Sequence, residues 1–245
     1  MGKMKIASAS IQIKNFEKNK NIEQILKKVD NAKLNGAEYI FFGEAALNGF
    51  DGLTWNYEED IKRNAVNKSD REIIILKDYC KRNKIGIGVG FYENDNGKIF
   101  SSYIIINNVG KTVQKYQRIS PGWKEKKANK NFYLDGKELK FINLGSSKCL
   151  LSICGDLWTE DYIERIKKES FDIIIWPLYI SYTENEWNSI EKYEYGRRIA
   201  KIGTRTILIN SEDNEAIGSL VEYSCKGDII NEVNLSSNSI IYSYI

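Results

Sequence analysis

The sequence predicts a layered α/β fold built around a mixed β-sheet. Segments rich in β-branched residues alternate with segments whose apolar residues recur at helical spacing. Turn-forming sequences at residues 94–97 and 107–110 join neighbouring strands directly, which indicates hairpins beside the parallel strands. The chain has 245 residues, a length that one domain commonly reaches, so we expect residues 1–245 to form a single domain.

Predicted strands and helices alternate through the first half of the chain. Residues 5–13 alternate apolar and polar side chains as a strand does, and apolar residues at helical spacing over 22–32 indicate a helix. Residues 39–42 are apolar throughout, which is typical of a strand buried on both faces. Ser69 and Glu72 have capping-box spacing and predict the start of a second helix. Further strands are predicted around the two turns, at residues 85–92, 99–106 and 111–116.

The second half continues the same alternation. Residues 150–153 form an apolar strand that leads into Cys154, and residues 171–176 form a second strand of this kind. Apolar residues at helical spacing predict helices at residues 162–168 and 186–202. Short strands are predicted for the remainder, at residues 206–209, 217–223, 228–233 and 239–244.

Charge and composition argue against several classes of function. The net charge is +3 with acids and lysines interspersed, which is too small an excess to indicate a partner of nucleic acid. No apolar run approaches the ~20 residues of a membrane helix, and the first residues lack a signal-peptide pattern. The four cysteines lack CxxC spacing, which argues against a zinc or redox motif. We therefore expect a cytoplasmic protein with reduced thiols, no membrane partner, and no metal or other cofactor.

The chain contains no histidine. This excludes Ser-His-Asp and Cys-His catalytic pairs, together with any metal site that needs imidazole. If one of the cysteines is a nucleophile, a group other than histidine has to take the thiol proton.

Three chemically active side chains stand where predicted strands end, which is where catalytic groups are commonly displayed. They are Glu44, Arg118 and Cys154. Each taken alone has an ordinary explanation, since a cysteine after an apolar strand is usually inert core and a charged strand end is usually solvated. A buried carboxylate, however, serves as a general base at neutral pH, and a thiolate is a strong nucleophile.

Motifs around these residues resemble those of the nitrilase superfamily of carbon-nitrogen hydrolases. Residues 43–50 (GEAALNGF) resemble the first motif, in which a glutamate after a buried strand precedes a glycine and an aromatic residue. Residues 116–118 (YQR) resemble the second motif, and residues 153–158 (ICGDLW) resemble the third, in which cysteine precedes aspartate by two positions. Residues 7–12 and 176–177 are also similar to the family, and the motifs follow its order across nearly the whole chain.

The resemblance implies a four-layer αββα sandwich and hydrolysis of a small non-peptide amide. It implies that Glu44 is the general base and that Cys154 is the nucleophile, which forms a thioester intermediate. The backbone N–H of Gly155, next to the nucleophile, is a candidate donor to the oxyanion. Asp156 is expected to bond nearby backbone at the turn. The family also suggests a homodimer or a higher homo-oligomer.

Four further residues are predicted at the site. Glu125 lies seven residues after Arg118, near where the family often places a second glutamate, and we expect it to orient the cation or the hydrolytic water. Trp123, Trp158 and Tyr179 are candidates for the lining of the substrate pocket, although aromatic residues at strand ends more often belong to the core.

Arg118 departs from the family pattern, which has lysine at this position. Arginine stabilises an oxyanion as a fixed cation, but it stays protonated and does not readily pass a proton to a leaving amine. Arginine is also bulkier than lysine, so a pocket built for lysine has to adjust. Gly155 likewise stands where the family commonly has an aromatic residue. Lys115 and Lys124 are nearby lysines, and neither is our first choice as a replacement.

Three hypotheses remain at this point. The first is an active amidase-like hydrolase in which Arg118 stabilises the oxyanion. The second is a catalytically impaired pseudoenzyme of the same fold that binds a ligand or a partner. The third is an unrelated α/β binding protein, which would be exposed by a fold in which Glu44, Arg118 and Cys154 do not converge.

Overall fold

The computed structural model describes residues 3–233 and 239–245. Within these ranges twelve strands form two six-stranded sheets, in the orders β12-β1-β2-β3-β4-β5 and β11-β10-β9-β8-β7-β6. The strands are β1 Lys5–Ala9, β2 Tyr39–Phe41, β3 Gly86–Asp95, β4 Lys98–Ile106, β5 Thr112–Gln117, β6 Lys140–Leu144, β7 Ser147–Leu151, β8 Ile173–Leu178, β9 Arg205–Asn210, β10 Leu220–Tyr223, β11 Ile229–Val233 and β12 Ile240–Tyr244.

The helices lie between these strands. They are α1 Lys18–Leu34, α2 Tyr57–Glu59, α3 Arg71–Asn83, α4 Glu160–Ile166, α5 Glu184–Glu186 and α6 Lys192–Ile202. A π-helical turn, Asp60–Asn64, continues α2, and a second, Trp187–Glu191, joins α5 to α6. A short 3₁₀ turn spans Cys154–Trp158. None of the helices in the described residues is long and apolar enough to cross a membrane.

The two sheets share one plan. In the first sheet β1, β2 and β3 run parallel, and β12, β4 and β5 flank them in antiparallel pairs. In the second sheet β7, β8 and β9 run parallel, flanked in the same way by β6, β10 and β11. Parallel strands need crossover connections, and helices α1, α3, α4 and α6 lie in these connections.

The two sheets pack face to face, with helices on the outer side of each. Strand β8 illustrates the arrangement, because successive side chains of a strand point to opposite faces. Its residues Ile173 and Ile175 lie in the apolar layer between the sheets, whereas Ile174 and Trp176 pack towards the helices. Helices α1 and α3 bury their apolar faces on the first sheet, and α4 and α6 bury theirs on the second. The predicted αββα order is therefore confirmed.

Some local predictions are wrong. The first strand ends at Ala9 rather than residue 13, because the chain leaves the sheet there and Gln12 makes an isolated bridge to Glu212. Ser69 does not cap α3, which has Asp70 at its N-cap and no side-chain capping bond. Strand β6 was not predicted, since it is short, lacks strict alternation and follows a long irregular segment.

A buried carboxylate fixes the loop that precedes the first π-helical turn. Asp60 accepts hydrogen bonds from the backbone N–H groups of Thr54 and Trp55, at 2.8 and 2.9 Å. It also accepts bonds from Asn64 at 2.7 Å and from the hydroxyl of Tyr133 at 2.6 Å. Trp55 and Tyr133 belong to an apolar cluster that packs against Ala45, directly after Glu44. This carboxylate therefore supports the segment that carries Glu44.

Replacing Asp60 with alanine is expected to lower the free energy of unfolding by about 3 kcal/mol, because several donors lose their buried acceptor. Urea denaturation followed by circular dichroism measures this. Asp161→Ala is the control, since Asp161 is exposed on α4 and its removal should cost no more than about 0.5 kcal/mol. Equal losses for the two variants would contradict the role assigned to Asp60.

Candidate active site

The ends of three strands bring Glu44, Arg118 and Cys154 together. Glu44 follows β2 and Arg118 follows β5, both in the first sheet, whereas Cys154 follows β7 in the second sheet. The charges of Glu44 and Arg118 both act on the thiol of Cys154. The three residues therefore converge at one end of the sandwich, where these strands end, as predicted from their motifs.

A buried ion pair lies at the centre of this cluster. One terminal nitrogen of Arg118, Nη1, donates to Oε1 of Glu44 at 2.8 Å, and the two side chains are only 3% and 1% exposed. Ser101 supports both partners, because its hydroxyl donates to Oε1 at 2.9 Å while its carbonyl accepts the backbone N–H of Arg118. On the other side of the guanidinium, Nε donates to the hydroxyl of Ser120 at 2.8 Å.

Each partner of the ion pair keeps one polar atom without a hydrogen bond to the described residues. On Glu44 this atom is Oε2, which is buried and has no hydrogen-bond partner. On Arg118 it is Nη2, which lies against Gly155 beside the cysteine. The pair therefore offers one oxygen that can accept a proton and one nitrogen that can donate a hydrogen bond.

Cys154 occupies a strained turn between β7 and the 3₁₀ turn. Its φ of 42° lies in the left-handed region, which non-glycine residues adopt at a cost of roughly 1–3 kcal/mol. The indole of Trp176 helps to hold this conformation by donating to the carbonyl of Cys154 at 2.9 Å. The sulfur lies 3.7 Å from the carbonyl oxygen of Tyr179. These contacts orient the thiol towards the ion pair.

The thiol of Cys154 is not activated by its surroundings alone. Burial raises its pKa to about 12, Arg118 lowers it, and the negative charge of Glu44 raises it. The pKa of Arg118 is raised as well, since Glu44 and its other anionic neighbours outweigh the effect of burial. At neutral pH the sulfur is therefore a thiol and Arg118 a cation, so a base has to remove the thiol proton during a reaction.

Asp156 ties the two sheets together directly behind these residues. Its carboxylate accepts the N–H groups of Ile119 and Ser120, which follow β5, at 3.1 and 2.7 Å. It also accepts the N–H of Ile153 at 2.8 Å and the hydroxyl of Tyr116. The prediction that Asp156 bonds nearby backbone is confirmed. These bonds reach both strand ends and set the position of the cation relative to the nucleophile.

A glycine lets the segment with Glu44 lie close to strand β3. A methyl group at Gly90 would lie 2.6 Å from the backbone nitrogen of Ala45 and 2.9 Å from Cα of Glu44. Any side chain at position 90 would push this segment away from Arg118. The short distance between the carboxylate and the guanidinium thus depends on a residue far from both in sequence.

Residues 5–199 match the carbon-nitrogen hydrolase family. The chain belongs to this family.

Two solved structures have the same fold as this chain. An amidase from Nesterenkonia sp. superposes with a TM-score of 0.80 at 12% identity, over 100% of this chain and 90% of that chain. The glutamine-dependent NAD+ synthetase from Acinetobacter baumannii also superposes with a TM-score of 0.80, at 14% identity, over 98% of this chain and 45% of that one. At such low identity these likenesses show the fold alone.

Curated relatives match about half to two thirds of this chain. A nitrilase from Meyerozyma guilliermondii is 26% identical over 125 residues, which are 49% of this chain and 39% of that protein. Nitrilase homolog 2 from Dictyostelium discoideum is 24% identical over 170 residues, 65% of this chain and 49% of that protein. The match therefore spans less than half the length of either relative.

The other predicted site residues differ in their contacts. Glu125 is 55% exposed and pairs with Lys127 at 3.2 Å, and no contact joins it to the ion pair among the described residues. Trp123 is buried and donates its indole N–H to Asp135 at 2.9 Å. The predicted site role of Glu125 and the predicted pocket role of Trp123 remain predictions.

Two predicted pocket residues and one backbone donor lie nearer to the nucleophile. Gly155 and Trp158 belong to the 3₁₀ turn that begins at Cys154, and Trp158 is 45% exposed. The ring of Tyr179 stacks on Phe50 with centroids 4.0 Å apart, while its carbonyl contacts the sulfur. Their roles in binding a substrate remain predictions.

Neither nearby lysine takes the place of Arg118. Lys115 pairs with Glu93 and Asp95 at 2.7 and 2.8 Å, and Lys124 pairs with Asp135. Both amines are thus held away from the buried ion pair. No group of three metal-ligating side chains was found among the residues that the structure describes.

Three residues without a predicted site role support the site, and one of them, Trp176, was noted in the sequence only as part of a segment similar to the family. Ser101 and Ser120 bond the ion pair, and Trp176 bonds the nucleophile. Ser120 stands two residues after Arg118, a spacing that can bring a hydroxyl to a guanidinium, so a local signal was present. Ser101 is distant in sequence, and nothing local marks it.

The two charges beside Cys154 are expected to change its pKa in opposite directions. Glu44→Gln removes the anion that raises this pKa, so the thiol becomes more acidic; Arg118→Met removes the cation that lowers it, so the thiol becomes less acidic. When the pH lies below the pKa, lowering the pKa by one raises the thiolate fraction about tenfold. The rate of modification by methyl methanethiosulfonate, followed by mass spectrometry of the Cys154 peptide from neutral pH upward, measures the effect.

The experiment uses a Cys225→Ser background, since Cys225 is the exposed cysteine of the four. We expect Glu44→Gln to react faster than the parent protein and Arg118→Met to react more slowly. Cys80 and Cys149, which are buried away from the ion pair, serve as internal references. The reverse order of rates at Cys154 would contradict the described electrostatics.

Proposed function

We propose that this carbon-nitrogen hydrolase is active and cleaves a small non-peptide amide through a thioester on Cys154. The proposal rests on which polar atoms of the buried ion pair are hydrogen-bonded and which are not. One oxygen of Glu44 and one nitrogen of Arg118 make no hydrogen bond in the described structure, and both belong to groups whose charges act on the thiol. This is the arrangement that an attack by sulfur on a carbonyl group requires.

In the first half of the reaction, sulfur replaces nitrogen on the carbonyl carbon. The thiol proton of Cys154 passes to Oε2 of Glu44 while the sulfur forms a bond to the carbonyl carbon. The π-electron pair of the carbonyl moves onto its oxygen, which becomes negative. When the C–N bond breaks, Glu44 returns its proton to the nitrogen, and ammonia or an amine leaves.

In the second half, water replaces sulfur. Glu44 takes a proton from the attacking water, whose oxygen bonds to the carbonyl carbon of the thioester. The C–S bond then breaks and the sulfur recovers a proton from Glu44. One amide and one water thus give one carboxylic acid and one amine, and the enzyme returns to its starting state.

Arg118 has an electrostatic role in this scheme. Its high pKa keeps it cationic throughout, so it takes no part in proton transfer. Its Nη2 can donate to the carbonyl oxygen as charge develops there. The N–H of Gly155 is the second donor, because the first N–H groups of a helical turn lack acceptors within that turn. A fixed donor of this kind typically contributes about 10²–10³ in rate.

The substrate class is supported by similar proteins. Structures of the Nesterenkonia amidase include the product of Michael addition of acrylamide, and the acetamide moiety of fluoroacetamide, at the active-site cysteine. We therefore propose small aliphatic amides as the first substrates to test. We also propose that residues 1–245 act as one domain and that the protein forms a homodimer or a higher homo-oligomer.

Cys154→Ala is expected to abolish the release of ammonia from such amides. The reason is that no other thiol lies beside the ion pair among the described residues. A coupled assay for ammonia with a panel of aliphatic amides measures the activity, and rates should fall by at least about 10³-fold. Cys225→Ala is the matched control, since this exposed cysteine should be dispensable.

The outcome of this panel also separates the two hypotheses within the family. If the parent protein releases no ammonia above the Cys154→Ala background from any amide or carbamoyl compound, the proposal of an active hydrolase fails. The chain would then be a binding protein that retains the fold and the ion pair.

A further inference from the structure

The guanidinium of Arg118 is held by hydrogen bonds at two of its three nitrogens. Its Nε donates to Ser120 and its Nη1 donates to Glu44, each at 2.8 Å. The hydroxyl of Ser120 is itself well placed, because its backbone N–H is bonded to Asp156 at 2.7 Å. Two bonds at different nitrogens fix both the position and the plane of the group. The third nitrogen, Nη2, therefore points towards Gly155.

The space for Nη2 exists because residue 155 is glycine. A methyl group at this position would lie 2.7 Å from Nη2 of Arg118 and 3.0 Å from the hydroxyl oxygen of Ser120. The first distance is shorter than side-chain carbons show in real contacts, so one of the groups would have to move. The backbone of Gly155 lies outside the left-handed region, so its conformation does not require glycine. The contact with Arg118 does.

These two requirements apply to arginine and not to lysine. Lysine has no Nε–H for Ser120 to accept and no second terminal nitrogen to occupy the space beside Gly155. If position 118 carried lysine, a methyl group at 155 would lose its 2.7 Å contact with Nη2 and keep only the 3.0 Å contact with the Ser120 hydroxyl. The shortest contact at Gly155 and the bond from Nε to Ser120 therefore exist only when residue 118 is arginine.

We propose that Ser120 and Gly155 are positioning residues for Arg118, and that the three residues form one interdependent unit. Ser120 sets the plane of the guanidinium, and Gly155 leaves the gap through which Nη2 reaches the carbonyl oxygen of the substrate. The three residues together adapt the site to a side chain that is always cationic, and Arg118 has a functional role in it. Only one part of this proposal rests on the proposed function, namely that the atom which Nη2 contacts is the carbonyl oxygen of an amide substrate.

A double-mutant cycle tests this dependence. Gly155→Ala and Ser120→Ala are each made in the parent protein and in an Arg118→Lys background. Three quantities are measured for every variant: Tm, the rate of Cys154 modification by methyl methanethiosulfonate, and kcat/KM for an amide. The first two need no turnover, so they report on the unit even if the protein cleaves no amide that is tested.

In the parent protein, Gly155→Ala should lower Tm by about 5 °C because of overpacking. It should lower kcat/KM by about 100-fold, since it displaces Nη2 by a fraction of an ångström or more. Ser120→Ala should lower kcat/KM by about tenfold and slow the modification of Cys154, because a less well held cation stabilises the thiolate less. In the Arg118→Lys background each change should alter kcat/KM and the rate of Cys154 modification by less than about twofold, and Gly155→Ala should lower Tm by less than it does in the parent protein.

Gly122 provides a graded control. A methyl group there would lie 3.3 Å from Nη2, a tight contact but one that a small movement relieves. Gly122→Ala should therefore lower kcat/KM less than Gly155→Ala does. If Arg118→Lys does not fold, Arg118→Gln, which also lacks the guanidinium, takes its place in the cycle.

Equal losses from Gly155→Ala or from Ser120→Ala in both backgrounds would overturn the proposal, as would failure of Gly155→Ala to fold whatever residue stands at 118. If the effects on Tm and on thiol reactivity depend on residue 118 but no amide is cleaved, the interdependence of the three residues is supported and the proposed hydrolysis is contradicted. Turnover without coupling would keep the hydrolysis and remove the unit.

Discussion

The ion pair between Arg118 and Glu44 constrains everything around it. Two opposite charges lie 2.8 Å apart with almost no exposure to water, and removing each from water costs several kcal/mol. Their attraction offsets this cost only when the remaining polar atoms are well bonded. Ser101 and Ser120 satisfy one atom on each side, and the free atoms that remain are the two that the proposed chemistry uses. The stability of the site and its proposed reactivity therefore depend on the same hydrogen bonds.

The fold supplies the precision that this pair needs. Glu44 and Arg118 belong to one sheet and Cys154 to the other, so their mutual positions depend on how the two sheets are joined. Asp156 makes that join at the site by bonding the backbone beyond both strand ends. Gly90 lets the loop of Glu44 approach its neighbour closely. Arg118 is thus held in a well-bonded environment. This favours an arginine that takes part in catalysis over one that marks the loss of activity.

Local sequence patterns predicted the larger features and missed those that depend on distant contacts. The alternation of strands and helices and the motifs around Glu44, Arg118 and Cys154 were sufficient for the layer order and for the convergence of these residues. Strand β6 was missed because it has only five residues and adjacent apolar residues interrupt any alternation. Ser69 and Glu72 have capping-box spacing, yet Asp70 holds the N-cap position. The fit between Arg118 and Gly155 joins residues that are far apart in sequence, so no local pattern connects the glycine with the arginine.

The central claim, that the buried pair activates Cys154 to form a thioester, is tested most directly by trapping that intermediate. The protein is mixed with an amide that it hydrolyses, quenched in acid within the first turnover, and digested for mass spectrometry. We predict that fragment spectra locate the mass of the acyl group on Cys154, and that Cys80, Cys149 and Cys225 do not carry it. Hydrolysis without an acyl group on Cys154, or with the acyl group on another residue, would contradict the account.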